Sequence, residues 1–188
     1  MTNNKPAFKE WAVIVEALGA GEQILILRKG GIAEDHGGFE VKAGKFWLFP
    51  THFHEQLART KPAAQKFFGH VGGVPPPRSD SSILLRYFAE VIQQTFLSDW
   101  AAAARLDAFH LWMEETVRER FAWANPPGLH AFAVRVHRLK QPARLEVTPE
   151  MSGCKSWIDV PVDFAAPASE PVLSDAAFAK KLEALKLT

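Results

Sequence analysis

Apolar residues gather in short unbroken runs near the two ends of this chain and recur at wider spacing in its middle. Residues 11–18 are apolar and β-branched, Gly19-Ala20-Gly21 interrupts them, and residues 23–28 resume the run. Two such runs around a short glycine-containing loop predict a hairpin, and their nearly continuous hydrophobicity predicts burial on both faces. Residues 34–38 are polar and read as a loop, and residues 39–42 alternate as a short strand would. Lys45 to Phe49 predict a third strand, stopped by Pro50. The period then changes. Residues 62–68 suit a helix with Pro62 in its first turn, ended by Gly69. Pro75-Pro76-Pro77 lie in a linker over 72–82 with polyproline character. Ile83, Leu84, Tyr87, Phe88, Val91 and Ile92 recur at helical spacing. Asp107 is placed to cap a further helix through Arg120, with Leu111, Glu114, Glu115 and Arg118 on an amphipathic surface. Phe132, Val134 and Val136 alternate with Arg135 and His137, which predicts a strand closed by Pro142. Residues 157–160 predict a last strand, and Ser174 caps a helix carrying Phe178, Leu182 and Leu185 on one face.

Strands, helices, strands and a helix, in that order, predict an α+β fold rather than a regular βα alternation. The expected object is one domain over 1–188 with a mixed, largely antiparallel sheet. N-terminal strands fall within 8–56 and returning strands within 130–161. A central helical segment spans 62–123 and a C-terminal helix spans 174–186.

Composition narrows the function classes. Hydrophobic residues at 47% and charged residues at 23% suit a globular chain rather than a disordered one. A net charge of +1 argues against a strongly polybasic binder and leaves room for a local basic patch. The single cysteine excludes an internal disulfide and fits a reducing cytoplasm. Residues 1–6 lack the apolar run of a signal peptide. No apolar stretch approaches the ~20 residues of a membrane span, so no membrane partner is expected.

Two turn-rich blocks carry the densest chemistry. One is Arg28-Lys29-Gly30-Gly31-Ile32, followed by Phe46-Trp47-Leu48-Phe49-Pro50-Thr51-His52-Phe53-His54. The other is Gly153-Cys154-Lys155-Ser156-Trp157-Ile158. Each mixes glycine, a cation, an aromatic ring and a small polar residue at a strand end, as two halves of one site would. Backbone N–H groups in the Gly30-Gly31 turn, with Arg28 and Lys29 beside them, suit an anion, although the spacing is not that of a phosphate-binding P-loop. Arg28, Lys29, Lys45, Arg135, His137, Arg138 and Lys155 all fall on or beside predicted strands, with Trp47 and Trp157 close in sequence. A basic sheet face with exposed rings holds single-stranded nucleic acid, because charge tracks the backbone and rings stack on bases. The leading expectation is therefore a nucleic acid or phosphate-bearing ligand bound by Arg28, Lys29, Gly30, Gly31, Thr51, His54, Arg135, Lys155, Ser156 and Trp157.

Other chemistries compete. Glu40-Val41-Lys42 has the Glu-x-Lys form of metal-dependent nucleases, in which the carboxylate holds Mg or Mn and the lysine steadies the attacking water. The second carboxylate would have to be Glu16, Glu34 or Asp35, and none sits cleanly at a strand end before Glu40. His52 and His54 share a strand face with Glu55 nearby, but a zinc site would still need His36, His137 or Cys154, at no diagnostic spacing. Cys154 between Gly153 and Lys155 is a candidate nucleophile, and equally a small buried hydrophobe. A scaffold role would use the apolar stripe of the central or C-terminal helix.

Phe8-Lys9-Glu10-Trp11-Ala12-Val13, Leu27-Arg28-Lys29-Gly30-Gly31-Ile32, Leu48-Phe49-Pro50-Thr51 and Gly153-Cys154-Lys155-Ser156-Trp157 together resemble a bacterial family, the domain-of-unknown-function family 1802. The resemblance runs from about Phe8 to about Val160. It implies membership and no mechanism. One departure concerns a His-Gln pair associated with the Phe-Pro-Thr block: here His54 is followed by Glu55, and Gln56 comes one place later.

Overall fold

The computed structural model describes residues 5–29, 43–52, 54–71, 82–123, 125–153, 155–164 and 168–187. Strand β1 (Lys5–Trp11) passes directly into helix α1 (Ala12–Gly19), and β2 (Leu25–Arg28) and β3 (Lys45–Thr51) follow. After α2 (Gln65–Val71) comes the long strand β4 (Ser82–Leu97), then α3 (Trp100–Ala104) and α4 (Glu114–Trp123). Strands β5 (Leu129–Glu146), β6 (Trp157–Val160) and β7 (Ser169–Pro171) lead to α5 (Asp175–Leu185).

The strands form one mixed sheet in the order β2-β5-β4-β3-β1-β6, with β7 beside β5. β1 and β3 are parallel and every other pairing is antiparallel. The class is α+β with a largely antiparallel sheet, as the order of elements implies. Alternation along β1 and β3 serves two apolar cores. Phe8, Phe46 and Leu48 enter one core with α1 and Phe132, while Ala7, Trp47 and Phe49 enter another with Phe88, Leu145 and Ile158. No helix among the described residues is long and apolar enough to cross a membrane.

Three expectations are corrected. Residues 12–19 are a helix, not the first strand of a hairpin. Every residue of α1 except Glu16 is buried, so the helix shows no polar face and its apolar run cannot be told from a buried strand by period. Residues 82–97 are strand rather than helix. Ile83 and Leu85 point into one core at strand spacing, and a register shift between Leu85 and Tyr87 then brings Phe88 back to the same core. A bulge adds a residue to the alternation, and the resulting three-residue step imitates a helical period. Pro142 does not end β5. It lies where the pairing passes from Tyr87–Arg138 to Leu85–Ala143, an irregular stretch that needs no ladder bond from proline.

The scaffold surface also changes. The stripe of α5 turns inward, with Phe178 and Leu185 buried, and the central helix proposed to carry the other stripe is β4. The expected strand over 39–42 lies outside the described residues.

Candidate anion-binding site

β1 and β2 deliver their last residues to one corner. β2 and β6 stand at opposite ends of the strand path, yet the sheet curls enough for them to meet. The Arg28 guanidinium on β2 lies 5.2 Å from the centroid of Phe8 on β1, and its Nε donates to Ser156 Oγ at 3.2 Å, just before β6. The first and second turn-rich blocks therefore touch through Arg28 and Ser156.

Lys9 builds the floor under Ser156. Its backbone N–H donates to the Ser156 carbonyl at 2.9 Å. Its Nζ donates to the carbonyls of Met151 at 2.9 Å and Gly153 at 2.7 Å. Gly153 has φ +84°, a left-handed conformation that side chains resist, so glycine lets the loop turn back over Lys9. Opposite, Thr51 Oγ1 donates to the Glu10 carbonyl at 3.0 Å. Buried Gln56 donates to the Thr51 carbonyl at 2.9 Å and accepts from the Val13 N–H at 3.3 Å, which ties the ends of β1 and β3 to the start of α1.

Arg120 enters this corner from α4. Its guanidinium carbon lies 4.7 Å from the Trp11 centroid and 4.9 Å from the Trp112 centroid, so two indoles flank it. One of its N–H groups donates to the Leu27 carbonyl at 3.4 Å, next to Arg28. Burial of the guanidinium lowers the Arg120 pKa to about 10; the nearby Glu10 opposes that shift, and Arg28 and Arg59 add to it. Arg120 remains a cation at neutral pH. Glu10 is fully buried. Its Oε1 accepts from the Trp11 N–H at 2.7 Å, and its Oε2 has no hydrogen-bond partner among the described residues.

Arg59, Arg86, Arg118, Arg135 and Arg144 each hold a carboxylate within 4.0 Å. Among the described residues Arg28, Arg105, Arg120 and Arg138 hold none at that distance, and two of these four, Arg28 and Arg120, meet at this corner. Beside them, Lys29 Nζ sits 3.6 Å from the centroid of Trp123, which is 59% exposed. The corner thus offers two adjacent guanidinium groups, a lysine and one accessible indole, a set suited to an anion carrying a flat ring.

Other residues expected at the site go elsewhere. Arg135 pairs with Asp175 at the start of α5 and lies over Phe178. His54 is exposed beside Glu55 at 3.6 Å, and Lys155 is exposed next to the loop. Trp157 is buried 5.0 Å from Phe8 and 5.1 Å from Phe46, and Trp47 is fully buried, so neither ring is available to a base. Trp157 fills the core shared with Phe8 and Phe46, and Trp47 fills the other, beside Phe88. Gly30, Gly31, Glu40, Lys42 and Cys154 lie outside the described residues, as do Glu34, Asp35 and His36. His52 is held neutral by burial, and His137 stacks on Phe88 beside Glu90, away from His52. No group of three His, Cys, Asp or Glu among the described residues is placed to hold a metal ion.

Glu10, Trp11, Trp112, Arg120 and Trp123 were not legible as site residues. A signal existed for one of them: Lys9-Glu10 puts two charges into the run from Ala7 to Val15, and buried charges in an apolar strand need a stated reason. Arg120 gave none, because an arginine among glutamates on a helix reads as a solvated face.

None of the curated proteins matches this chain. The crystal structure of ASCH from Zymomonas mobilis is similar over 96% of this chain and 94% of its own, at 12% identity and a TM-score of 0.45. The model for the family described as Domain of unknown function (DUF1802) matches residues 7–184, nearly the whole length, and the chain belongs to that family.

Proposed function

We propose that this protein binds a phosphate-bearing ligand, a nucleotide or a single-stranded nucleic acid, in the corner formed by Arg28, Arg120, Lys29 and Ser156. The observation that carries the reading is that Arg28 and Arg120 feel each other's charge while neither has a carboxylate within 4.0 Å among the described residues. Two like charges brought together in partly buried surroundings repel, and an anion between them converts the repulsion into charge-assisted hydrogen bonds. Ser156, fully buried, accepts from Arg28 Nε and so holds that guanidinium in place for the ligand. Trp123, exposed and already under Lys29, supplies the stacking ring that Trp47 and Trp157 cannot. The basic feature is thus a corner at the ends of β1 and β2 rather than a whole sheet face.

The test is thermal melting with inorganic pyrophosphate, followed by a gel-shift assay with labelled single-stranded RNA and DNA at two salt concentrations. A ligand at a hundredfold excess over its Kd stabilises the fold by about 2.7 kcal/mol. Neutralising two phosphates gives a slope of about −1.4 in log K against log salt for a single strand. Arg28→Met and Arg120→Met should each abolish the pyrophosphate shift and flatten the salt dependence. A nucleic-acid shift that survives in both variants, or no response to pyrophosphate at any concentration, refutes the reading.

A further inference from the structure

A separate cavity of about 240 Å³ opens between α1, β3 and β4. It is lined by Ala12 and Val15 on α1, Leu48 and Pro50 on β3, and Ile83 and Tyr87 on β4. These walls are apolar, and an apolar void of about 150 Å³ is enough to admit benzene. A two-ring molecule of roughly ten non-hydrogen atoms is the natural occupant on that scale.

The polar end of the cavity is as specific as its walls. Glu16, Arg86 and His52 also line it. Both Glu16 oxygens are held within the protein: one accepts from Arg86 at 3.2 Å and the other accepts from the Tyr87 hydroxyl at 3.2 Å. Its charge is paired with Arg86 at the same contact. Arg86 gives one nitrogen to Glu16 and has further N–H groups, and its side chain is 40% exposed. Burial lowers the His52 pKa, which leaves Arg86 as the cation of this end at neutral pH.

We infer that this cavity is a second, independent site, which takes a small flat aromatic acid with its rings between Val15, Leu48 and Tyr87 and its carboxylate on Arg86. The apolar walls supply the ring site and the guanidinium supplies the preference for an acid. Nothing in the inference depends on Arg28 or Arg120.

The experiment uses the full chain, fluorescence titration with 1-naphthoate, and 1-naphthylmethylamine and naphthalene as comparison ligands. A hydrogen bond to a charged group corresponds to about tenfold or more in affinity, so naphthoate should bind at least that much tighter than the amine, with naphthalene between them. Pyrophosphate should not displace naphthoate, and Arg120→Met should leave its affinity unchanged. Ala12→Phe fills the slot from the α1 side: it should abolish naphthoate binding while the melting temperature holds or rises. The inference is overturned if naphthoate does not bind or binds no tighter than the amine. It is equally overturned if binding survives Ala12→Phe, if pyrophosphate competes, or if Ala12→Phe lowers the melting temperature because the slot is not open in solution.

Discussion

His110 should make the fold acid-sensitive, by an amount the structure sets. The residue is 4% exposed, its Nδ1 has no hydrogen-bond partner among the described residues, and its ring lies 5.5 Å from that of Trp112, which in turn flanks Arg120. Burial lowers its pKa from 6.5 to about 4, with Lys61 and Arg120 adding to that and Asp107 opposing it. The folded value is the depressed one. The unfolded chain thus binds more protons between pH 6.5 and 4, and stability that is complete above the upper value is lost as pH falls toward the lower. Over the whole window a shift of that size corresponds to about 3 kcal/mol, and at pH 5 to about 2 kcal/mol. For a chain of this length about 2 kcal/mol moves the melting temperature by roughly 4–8 °C. The assay is urea unfolding at half-unit steps from pH 7.5 to 4.5, for the native chain and for His110→Phe. An apolar ring removes the titration and the unpartnered Nδ1, at the loss of the ring's hydrogen bond with the Trp112 backbone, while Lys61 keeps its bond to the residue 110 carbonyl at 3.2 Å. His52, His137 and Glu55, whose pKa values are also lowered, titrate in both proteins and cancel in the difference. The variant should therefore lose about 2 kcal/mol less than the native chain between pH 7 and 5. Parallel curves would refute the assignment.

The packing of α1 on β4 and the burial of the tryptophans yield two further predictions. At Gly19 an added Cβ would fall 2.2 Å from the Tyr87 ring, so Gly19→Ala should cost about 1–3 kcal/mol in chemical denaturation, and an unchanged midpoint would mean that α1 and β4 do not pack this way. A core tryptophan and an exposed one should part company: Trp157→Ala should cost about 3–5 kcal/mol of stability, whereas Trp123→Ala, at a ring 59% exposed, should leave stability within about 0.5 kcal/mol and weaken only ligand binding.

What the sequence made legible follows from how each element is buried. Residues 45–49 and 157–160 read as strands because each is a short apolar run ended by proline, and residues 132–139 because apolar and charged positions alternate. Ser174 read as a cap because its hydroxyl does accept from the Ala177 N–H, at 3.3 Å. The errors share one cause. Pattern reading assumes that an element has a wet face and a dry one, and α1 has no wet face, while β4 sends its residues to two cores. β1 was hidden for the opposite reason, since Lys9 and Glu10 look like solvent-facing charges and are instead buried in the closure of the sheet. At the site, Arg28 and Ser156 were legible as members of blocks and their contact was consistent with the blocks forming one place. Arg120 lies 92 residues from Arg28 by number, and only the curl of the sheet and the docking of α4 bring it there.

The cost of that corner is the strongest argument about its purpose. Desolvating a guanidinium is unfavourable unless a partner offsets it. Arg120 is desolvated enough to lower its pKa to about 10, with Arg28 and Arg59 both acting against its charge. A fold selecting for stability alone would place a carboxylate on it, as it does for Arg59, which holds both Glu55 and Glu119. Glu10 is near enough to be felt and yet makes no ion pair with Arg120. Two tryptophan faces hold the guanidinium in place without neutralising it, since attraction by a ring leaves the positive charge intact and its N–H groups available. The result is a cation kept charged at neutral pH, positioned beside a second cation, with no carboxylate within 4.0 Å among the described residues. Relief of that shortage by a bound phosphate would stabilise the whole fold through the same residues that recognise the ligand.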